Sequence, residues 1–237
     1  MSLISQILIP ADETRRLRSI HQYDVMHSLQ ESVFGEFVAL AARIFNLPIS
    51  LIALVDEKQV LYKANYGLPN VSTQPREEAL CSTAILNNRA VVYADLINET
   101  SPFITVQAAE AARNKKLRFY AAAPLLTPDE SRIGAICIID FEPRYLSDGE
   151  QELLEKIANL ISQMVAVRHC CLQSPALGEY HWLFIRNQVQ EEMQGLLALV
   201  RYLATRHGSP IPIPDDILNL IGRRLNDLHE VLDEYES

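Results

Sequence analysis

Apolar residues recur along the chain at two spacings, and each spacing predicts a different element. Residues 29–44 carry apolar side chains at three- and four-residue steps, which indicates one face of a helix. Residues 49–55 are apolar at every position except Ser50, which is typical of a strand covered on both faces. Residues 59–66 follow a short turn and predict the second strand of a hairpin.

The middle of the chain predicts a second hairpin and the start of a long helix. Residues 117–126 and 133–141 are apolar runs joined by the turn sequence Thr-Pro-Asp-Glu. Ser147 precedes Glu150 by three residues, a capping box that predicts a helix start. Shorter elements are expected between the hairpins: a loop with a short helix at 73–88, a strand at 90–93 and a helix at 108–116. Strands joined as hairpins imply a mostly antiparallel sheet, so the predicted fold class is α+β, with helices flanking the sheet.

A helical hairpin is predicted at the end of the chain, with helices at residues 179–206 and 215–236 and a proline-rich break between them. Apolar residues of the second helix alternate three- and four-residue steps, which is a narrow seam of the coiled-coil type. The seam consists of Leu218, Ile221, Leu225, Leu228, Leu232 and Tyr235. We therefore predict a sheet-containing sensory domain at residues 1–172 and a hairpin for dimerisation or signalling at residues 173–237.

Composition and charge exclude several classes of function. The 237 residues carry a formal net charge of −9, so the chain as a whole has no electrostatic reason to bind nucleic acid. No apolar run approaches the roughly 18 residues of a membrane span. The four cysteines, two adjacent and two far apart, do not form a disulfide framework, which indicates a reducing, cytoplasmic compartment.

Several segments between residues 15 and 168 follow one another in the order and spacing of a known domain family. They are residues 39–45 (ALAARIF), 48–56 (PISLIALVD), 66–68 (YGL), 80–85, 91–95, 117–125 (LRFYAAAPL), 133–140 (IGAICIID) and 143–144. Together they resemble the GAF domain of bacterial sensor kinases and cyclic-dinucleotide enzymes. The resemblance implies a central antiparallel sheet, helices on one face and a ligand pocket roofed by loops on the other. It names no ligand, so the cofactor is unknown.

The resemblance and the alternation of side chains along a strand together indicate five candidate pocket residues. Cys81 and Phe103 belong to the loops of the roof, and Arg118, Tyr120 and Ala122 share one side of the strand at 117–126. Ala122 stands where many family members have glycine. Consecutive alanines around it leave space for a ligand or allow close helix packing. Ligand pockets commonly enclose about 300–1,000 Å³, and we expect a cavity of that order beneath the roof.

Cysteine chemistry leaves two interpretations of Cys81. It is either a small buried apolar residue or a reactive thiol, for example a chromophore attachment point. GAF-like enzymes that reduce free methionine sulfoxide need a close set of cysteines. We expect no such set, because Cys81 and Cys137 lack the required spacing and Cys137 lies inside a predicted strand. His169, Cys170 and Cys171 point in different directions on a helix, so no metal site is predicted.

The predicted function is a non-catalytic sensory or regulatory module. It would bind a small molecule or a protein and relay the change through the helix that begins near Ser147. The output kinase or cyclase would be a separate partner. His181 leaves open a phosphotransfer role of the histidine-kinase type, and a ligand-free interaction scaffold is the other alternative.

The apolar stripes of the hairpin also bear on assembly. They predict a homodimer through residues 175–237, in which two hairpins form a four-helix bundle. The alternative is a hairpin that folds back and covers its stripes within one chain.

Overall fold

The structure, a computed structural model, describes residues 6–68, 71–174, 177–208 and 210–233. Six strands form one sheet: β1 (Ile49–Val55), β2 (Gln59–Tyr66), β3 (Thr73–Pro75), β4 (Val91–Tyr93), β5 (Phe119–Leu126) and β6 (Arg132–Asp140). Their order across the sheet is β3-β2-β1-β6-β5-β4, and every neighbouring pair is antiparallel. The predicted antiparallel α+β fold is confirmed.

Eight α-helices accompany the sheet in the described part of the chain. They are α1 (Glu13–Gln22), α2 (Val25–Ser28), α3 (Ser32–Ile44), α4 (Cys81–Ala84), α5 (Val106–Asn114), α6 (Asp148–Gln173), α7 (Gly178–His207) and α8 (Asp215–Asp233). Helix α5 begins two residues before its predicted start, because the Thr105 hydroxyl accepts a hydrogen bond from the Ala108 N–H at 3.0 Å and caps it. Within the described ranges, no helix has the length and apolar character that a membrane crossing requires.

The central strands are covered on both faces, as their sequences predict. All seven residues of β1 are buried. Along β5, Phe119 and Ala121 pack with the helices α3 and α6, whereas Tyr120 and Ala122 pack beneath α4 and α5 on the opposite face. Alternate residues of one strand therefore belong to two separate apolar layers.

The helical hairpin α7–α8 packs against α3 and α6 of the same chain. Its stripe residues Trp182, Met193, Leu218, Leu225 and Leu232 are each at most 7% exposed. The hairpin therefore takes the fold-back arrangement, over helices rather than over the sheet. The seam that motivated a homodimer through residues 175–237 is covered within one chain, so the homodimer stays a prediction without that support. Tyr235, the last predicted seam residue, lies outside the described residues.

Several carboxylates hold the hairpin to the rest of the chain, among them Glu31 and Glu150. Glu31, just before α3, accepts hydrogen bonds from Trp182 Nε1 at 3.0 Å and from Arg168 Nε at 2.6 Å. Glu150 completes the predicted capping box by accepting the Ser147 N–H at 2.8 Å. The same carboxylate accepts the N–H of Ile213, in the segment joining α7 and α8, at 3.2 Å.

Another carboxylate ties α1 to the loop after β3. Glu13 accepts hydrogen bonds from Arg16 Nε at 2.8 Å and from Arg76 Nη1 at 2.5 Å, and both arginine side chains are buried. Burial alone would raise the pKa of Glu13, but hydrogen bonds and charge from the two arginines lower it to about 2. The contribution of Glu13 to stability is therefore present above its ordinary pKa of 4.5 and lost as the pH falls towards 2.

We expect Glu13→Gln to lower the free energy of unfolding by about 3 kcal/mol at pH 7, from the size of this pKa shift. The difference from the wild type should shrink steadily between pH 5 and pH 2, where the wild-type carboxyl also becomes neutral. Urea unfolding measures this difference in free energy when it is followed by the fluorescence of Trp182, the one tryptophan of the sequence. The exposed Glu110 supplies the control, Glu110→Gln. A difference that stays constant over this pH range would contradict the assignment.

Candidate functional site

A small cavity lies between the sheet and its roof, on the face opposite α6. Strands β1, β2, β5 and β6 contribute Leu51, Tyr62, Tyr120 and Ile139 to the lining. The roof consists of Cys81 from α4 and of three alanines from α5, at positions 108, 111 and 112. The cavity volume is about 30 Å³, which is room for one or two water molecules.

Polar side chains meet at one side of this cavity. The side-chain oxygen of Gln74 accepts hydrogen bonds from the Tyr62 hydroxyl at 2.9 Å and from Lys115 Nζ at 3.1 Å. The Gln74 amide nitrogen donates to the carbonyl of Glu78 at 2.7 Å. Partial burial lowers the pKa of Lys115 below its ordinary value. The ammonium group is thus held at the cavity by a neutral acceptor.

The Tyr120 hydroxyl is a buried polar group aimed at this space. The side chain is 1% exposed, and no partner with hydrogen-bond geometry lies near its hydroxyl among the described residues. Burial and the nearby Cys81 and Cys137 thiols raise the pKa of Tyr120 well above its ordinary value. The group therefore stays protonated and can donate a hydrogen bond to a bound molecule.

Two cysteine thiols lie side by side below the roof. Cys81 Sγ and Cys137 Sγ are 3.8 Å apart, and Cys137 Sγ lies 3.6 Å from the carbonyl oxygen of Leu51. The neighbouring Cys137 thiol lowers the pKa of Cys81, assisted by the Tyr120 hydroxyl and the Lys115 charge, whereas the Cys81 sulfur and burial raise the pKa of Cys137. The expectation that these cysteines form no close pair is wrong, because α4 folds over the middle of β6.

The predicted pocket residues divide into two groups. Cys81 and Tyr120 line the cavity, and Ala122 lies in the same apolar layer without reaching it. Arg118 instead pairs with the carboxylate of Asp95 through two hydrogen bonds of 2.8 Å, because it precedes β5 and points away from the cavity. Phe103 is 45% exposed, on the outer surface of its loop.

Two other expectations concern the size of the cavity and His181. The cavity exists where it was expected, but its volume of about 30 Å³ is roughly tenfold below the expected range, because side chains from both α5 and the sheet fill the space. His181 lies on α7, which packs against α3 and α6 and is thus separated from the cavity by the sheet, and its ring is 6.4 Å from that of Phe184.

Tyr62, Gln74 and Lys115 escaped the sequence analysis, and Cys137 entered it without its contact to Cys81. Strand alternation offered a signal for two of them, because Tyr62 and Cys137 share a sheet face with Leu51 and Tyr120. Gln74 and Lys115 come from loop and helix-end positions, where no sequence periodicity indicates the direction of a side chain.

Comparison with known proteins bears on the family. The sequence model of the GAF domain matches residues 30–165. A cyclic di-GMP phosphodiesterase of Pseudomonas aeruginosa is 29% identical over 221 residues, which make up 91% of this chain and 35% of that protein. The chain therefore spans about a third of the length of this curated relative.

One of two matching solved structures supports the fold. The blue-light absorbing form of the PixJ GAF domain from Thermosynechococcus elongatus matches with a TM-score of 0.53 at 17% identity, over 66% of this chain and 95% of that one. The GAF domain of an Acinetobacter phosphoenolpyruvate-protein phosphotransferase matches with a TM-score of 0.46 at 16% identity, over 70% and 97%. Because the GAF model alone accounts for more than half of the sequence, this chain belongs to the GAF domain family.

Proposed function

We propose that the chain is a non-catalytic sensory module of bacterial signal transduction, whose cavity binds a small molecule. The observation that carries the proposal is the buried Tyr120 hydroxyl, which lies beside the cavity and has only the weakly hydrogen-bonding thiols of Cys81 and Cys137 near it among the described residues. An unpaired buried hydroxyl is costly unless a ligand or water satisfies it. The nearby Lys115 ammonium adds a positive charge. The proposed ligand is therefore small and carries a hydrogen-bond acceptor, preferably an anionic group.

Binding of anything larger than about two water molecules requires the cavity to widen. Helix α5 is the element suited to this movement, because it faces the cavity with small side chains, the alanines at 108, 111 and 112, beside Lys115. A shift of α5 therefore breaks few dispersion contacts at these alanines. The start of α5 is anchored, because the Thr105 hydroxyl donates a hydrogen bond to the carbonyl of Glu77. The core strands below are buried on both faces and remain in place.

The proposed relay runs through the sheet to the hairpin. Tyr120 and its neighbours Phe119 and Ala121 belong to one strand, and α6 packs on the far side of that strand. Helix α6 in turn contacts both α7 and α8. A displacement at Tyr120 therefore reaches the hairpin through β5 and α6.

The relative from Pseudomonas aeruginosa suggests what the module controls. Its match covers 91% of this chain and so includes helices beyond the family model, which ends at residue 165. The GAF segment and sequence beyond it are thus matched together in a protein named a cyclic di-GMP phosphodiesterase. We assign the output to a cyclic-dinucleotide enzyme or a kinase. A homodimer through residues 175–237 would use the outer surface of the hairpin, since the seam is covered.

Native mass spectrometry of the purified protein tests ligand binding. We expect a co-purified small molecule, or binding of one from a panel of small anions. Tyr120→Phe should weaken that binding about tenfold, the effect of losing one buried hydrogen bond. The exposed Tyr202 provides the matched control, Tyr202→Phe. Equal binding by Tyr120→Phe and the wild type would contradict the assignment of Tyr120.

A further inference from the structure

The proposed ligand binding assigns no role to the pair of thiols formed by Cys81 and Cys137. The two sulfurs are 3.8 Å apart in a buried layer, with no other cysteine near them among the described residues. We infer that Cys81 and Cys137 are a redox modification site, which closes to a reversible disulfide when a small hydroperoxide enters the cavity. The inference is independent of the proposed ligand, because the reaction needs only the two thiols and the oxidant.

Formation of the disulfide requires a small movement of one of the two cysteines. A disulfide has a sulfur–sulfur distance of about 2.05 Å, so the sulfurs must approach by about 1.8 Å. Cys137 lies in the middle of β6, where Leu51 of β1 and Ala122 of β5 pair with it on either side. Cys81 is the first residue of the one-turn helix α4. The strand is fixed by two neighbours, so α4 is the element that moves.

The positions of the two thiols assign their roles. Cys81 lines the cavity, whereas Cys137 lies behind it, against the carbonyl of Leu51. A molecule in the cavity therefore meets Cys81 first. Lys115, which also lines the cavity, favours the thiolate form of Cys81 by its charge. Cys81 is thus the attacking thiol and Cys137 the resolving thiol.

The reaction balances in two steps. The Cys81 thiolate attacks one oxygen of hydrogen peroxide, a sulfur–oxygen bond forms, the oxygen–oxygen bond breaks, and the departing hydroxide takes a proton to become water. The Cys137 sulfur then attacks the sulfenic acid of Cys81, the sulfur–oxygen bond breaks, and the leaving oxygen departs as a second water with the thiol proton. Two thiols are oxidised and one peroxide is reduced; a dithiol reductant reverses the change.

The size of the cavity selects the oxidant. A volume of about 30 Å³ accepts a molecule with two oxygen atoms and little else. Free methionine sulfoxide, a larger oxidant, does not fit without movement of α5. The small cavity volume therefore distinguishes a site that responds to peroxide from the active site of a methionine sulfoxide reductase, which must admit the larger oxidant.

Peptide mapping of the whole protein tests the inference. The protein is treated with one equivalent of hydrogen peroxide, the remaining thiols are alkylated under denaturing conditions, and the digest is analysed by mass spectrometry. We expect a peptide pair linked through Cys81 and Cys137, about 2 Da lighter than the sum of the free peptides, that dithiothreitol separates. The exposed Cys170 gives the control variant Cys170→Ser, in which the link should form unchanged.

Two further experiments test the roles of the two cysteines and the selectivity of the site for its oxidant. In Cys137→Ala, Cys81 should accumulate as a sulfenic acid that dimedone traps, whereas Cys81→Ala should leave Cys137 unmodified. In the wild type, free methionine sulfoxide at the same concentration should form the link at least about tenfold more slowly than peroxide. Alkylation of both cysteines after peroxide treatment, with no linked peptide, would overturn the disulfide, and this result needs no variant. Equal rates with both oxidants would overturn entry through the closed cavity.

Discussion

Glu150→Ala is expected to lower the free energy of unfolding by about 3–5 kcal/mol, the range for removing one partner of a buried ion pair. The Glu150 side chain is fully buried, and Arg144 Nη2 lies 3.4 Å from its carboxylate with a side chain that is 3% exposed. Without Glu150, the Arg144 charge is left without its carboxylate partner. The N–H groups of Ser147 and Ile213 also lose their acceptor. Urea unfolding at pH 7 measures the change.

The matched control is Glu152→Ala, two residues further along α6 and exposed to solvent. Its effect should stay within about 0.5 kcal/mol. Because Ile213 joins α7 to α8, the Glu150 variant should also loosen the hairpin below the unfolding transition, seen as a red shift of Trp182 fluorescence. A loss in Glu150→Ala as small as in Glu152→Ala would show that the ion pair and the cap contribute little.

Leu225→Ala is expected to destabilise the protein by about 2–5 kcal/mol, the range for truncating a buried leucine. Leu225 lies in the seam of α8 and is 1% exposed. Because the seam is covered within one chain, the loss caused by Leu225→Ala should be equal at low and at high protein concentration. Differential scanning calorimetry at two concentrations about a hundredfold apart measures this loss.

Leu220 on the same helix is 39% exposed and gives the control, Leu220→Ala, with an expected loss below about 1 kcal/mol. A midpoint that rises with concentration in the wild type and no longer does so in Leu225→Ala would mean that the seam binds a second chain. That result would reinstate the intermolecular four-helix bundle in place of the folded-back hairpin.

Local patterns account for most of what the sequence predicts correctly. The run at residues 49–55, the capping box at Ser147 and the apolar stripe of the last helix each depend on residues close together in the chain, so their elements are readable without a structure. The GAF resemblance adds that helices cover one face of the sheet and that the roof lies on the other. None of these local patterns shows which helix or strand packs against an apolar stripe. The partner of the hairpin was therefore assigned to a second chain instead of α3 and α6.

The chemistry of the site depends on contacts between distant residues, and these could not be predicted. Cys81 and Cys137 are 56 positions apart, and Lys115 reaches Gln74 over 41 positions. Arg118 shares its strand side with Tyr120 in the sequence pattern, yet the carboxylate of Asp95, 23 residues away, determines where it points. The volume of the cavity depends on the distance between α5 and the sheet, and this distance cannot be predicted from the sequence.

The division of each central strand between two layers has an evolutionary consequence. On β5, Tyr120 and Ala122 face the apolar layer that contains the cavity, while Phe119 and Ala121 face the helices. Substitutions of Tyr120 or Ala122 change the cavity side of the sheet and leave the packing of α6 intact. Substitutions of Phe119 or Ala121 change the packing of α6 and leave the cavity side intact. Recognition and output can therefore diverge independently within one strand, so a lineage can acquire a new stimulus while it keeps the same helical output.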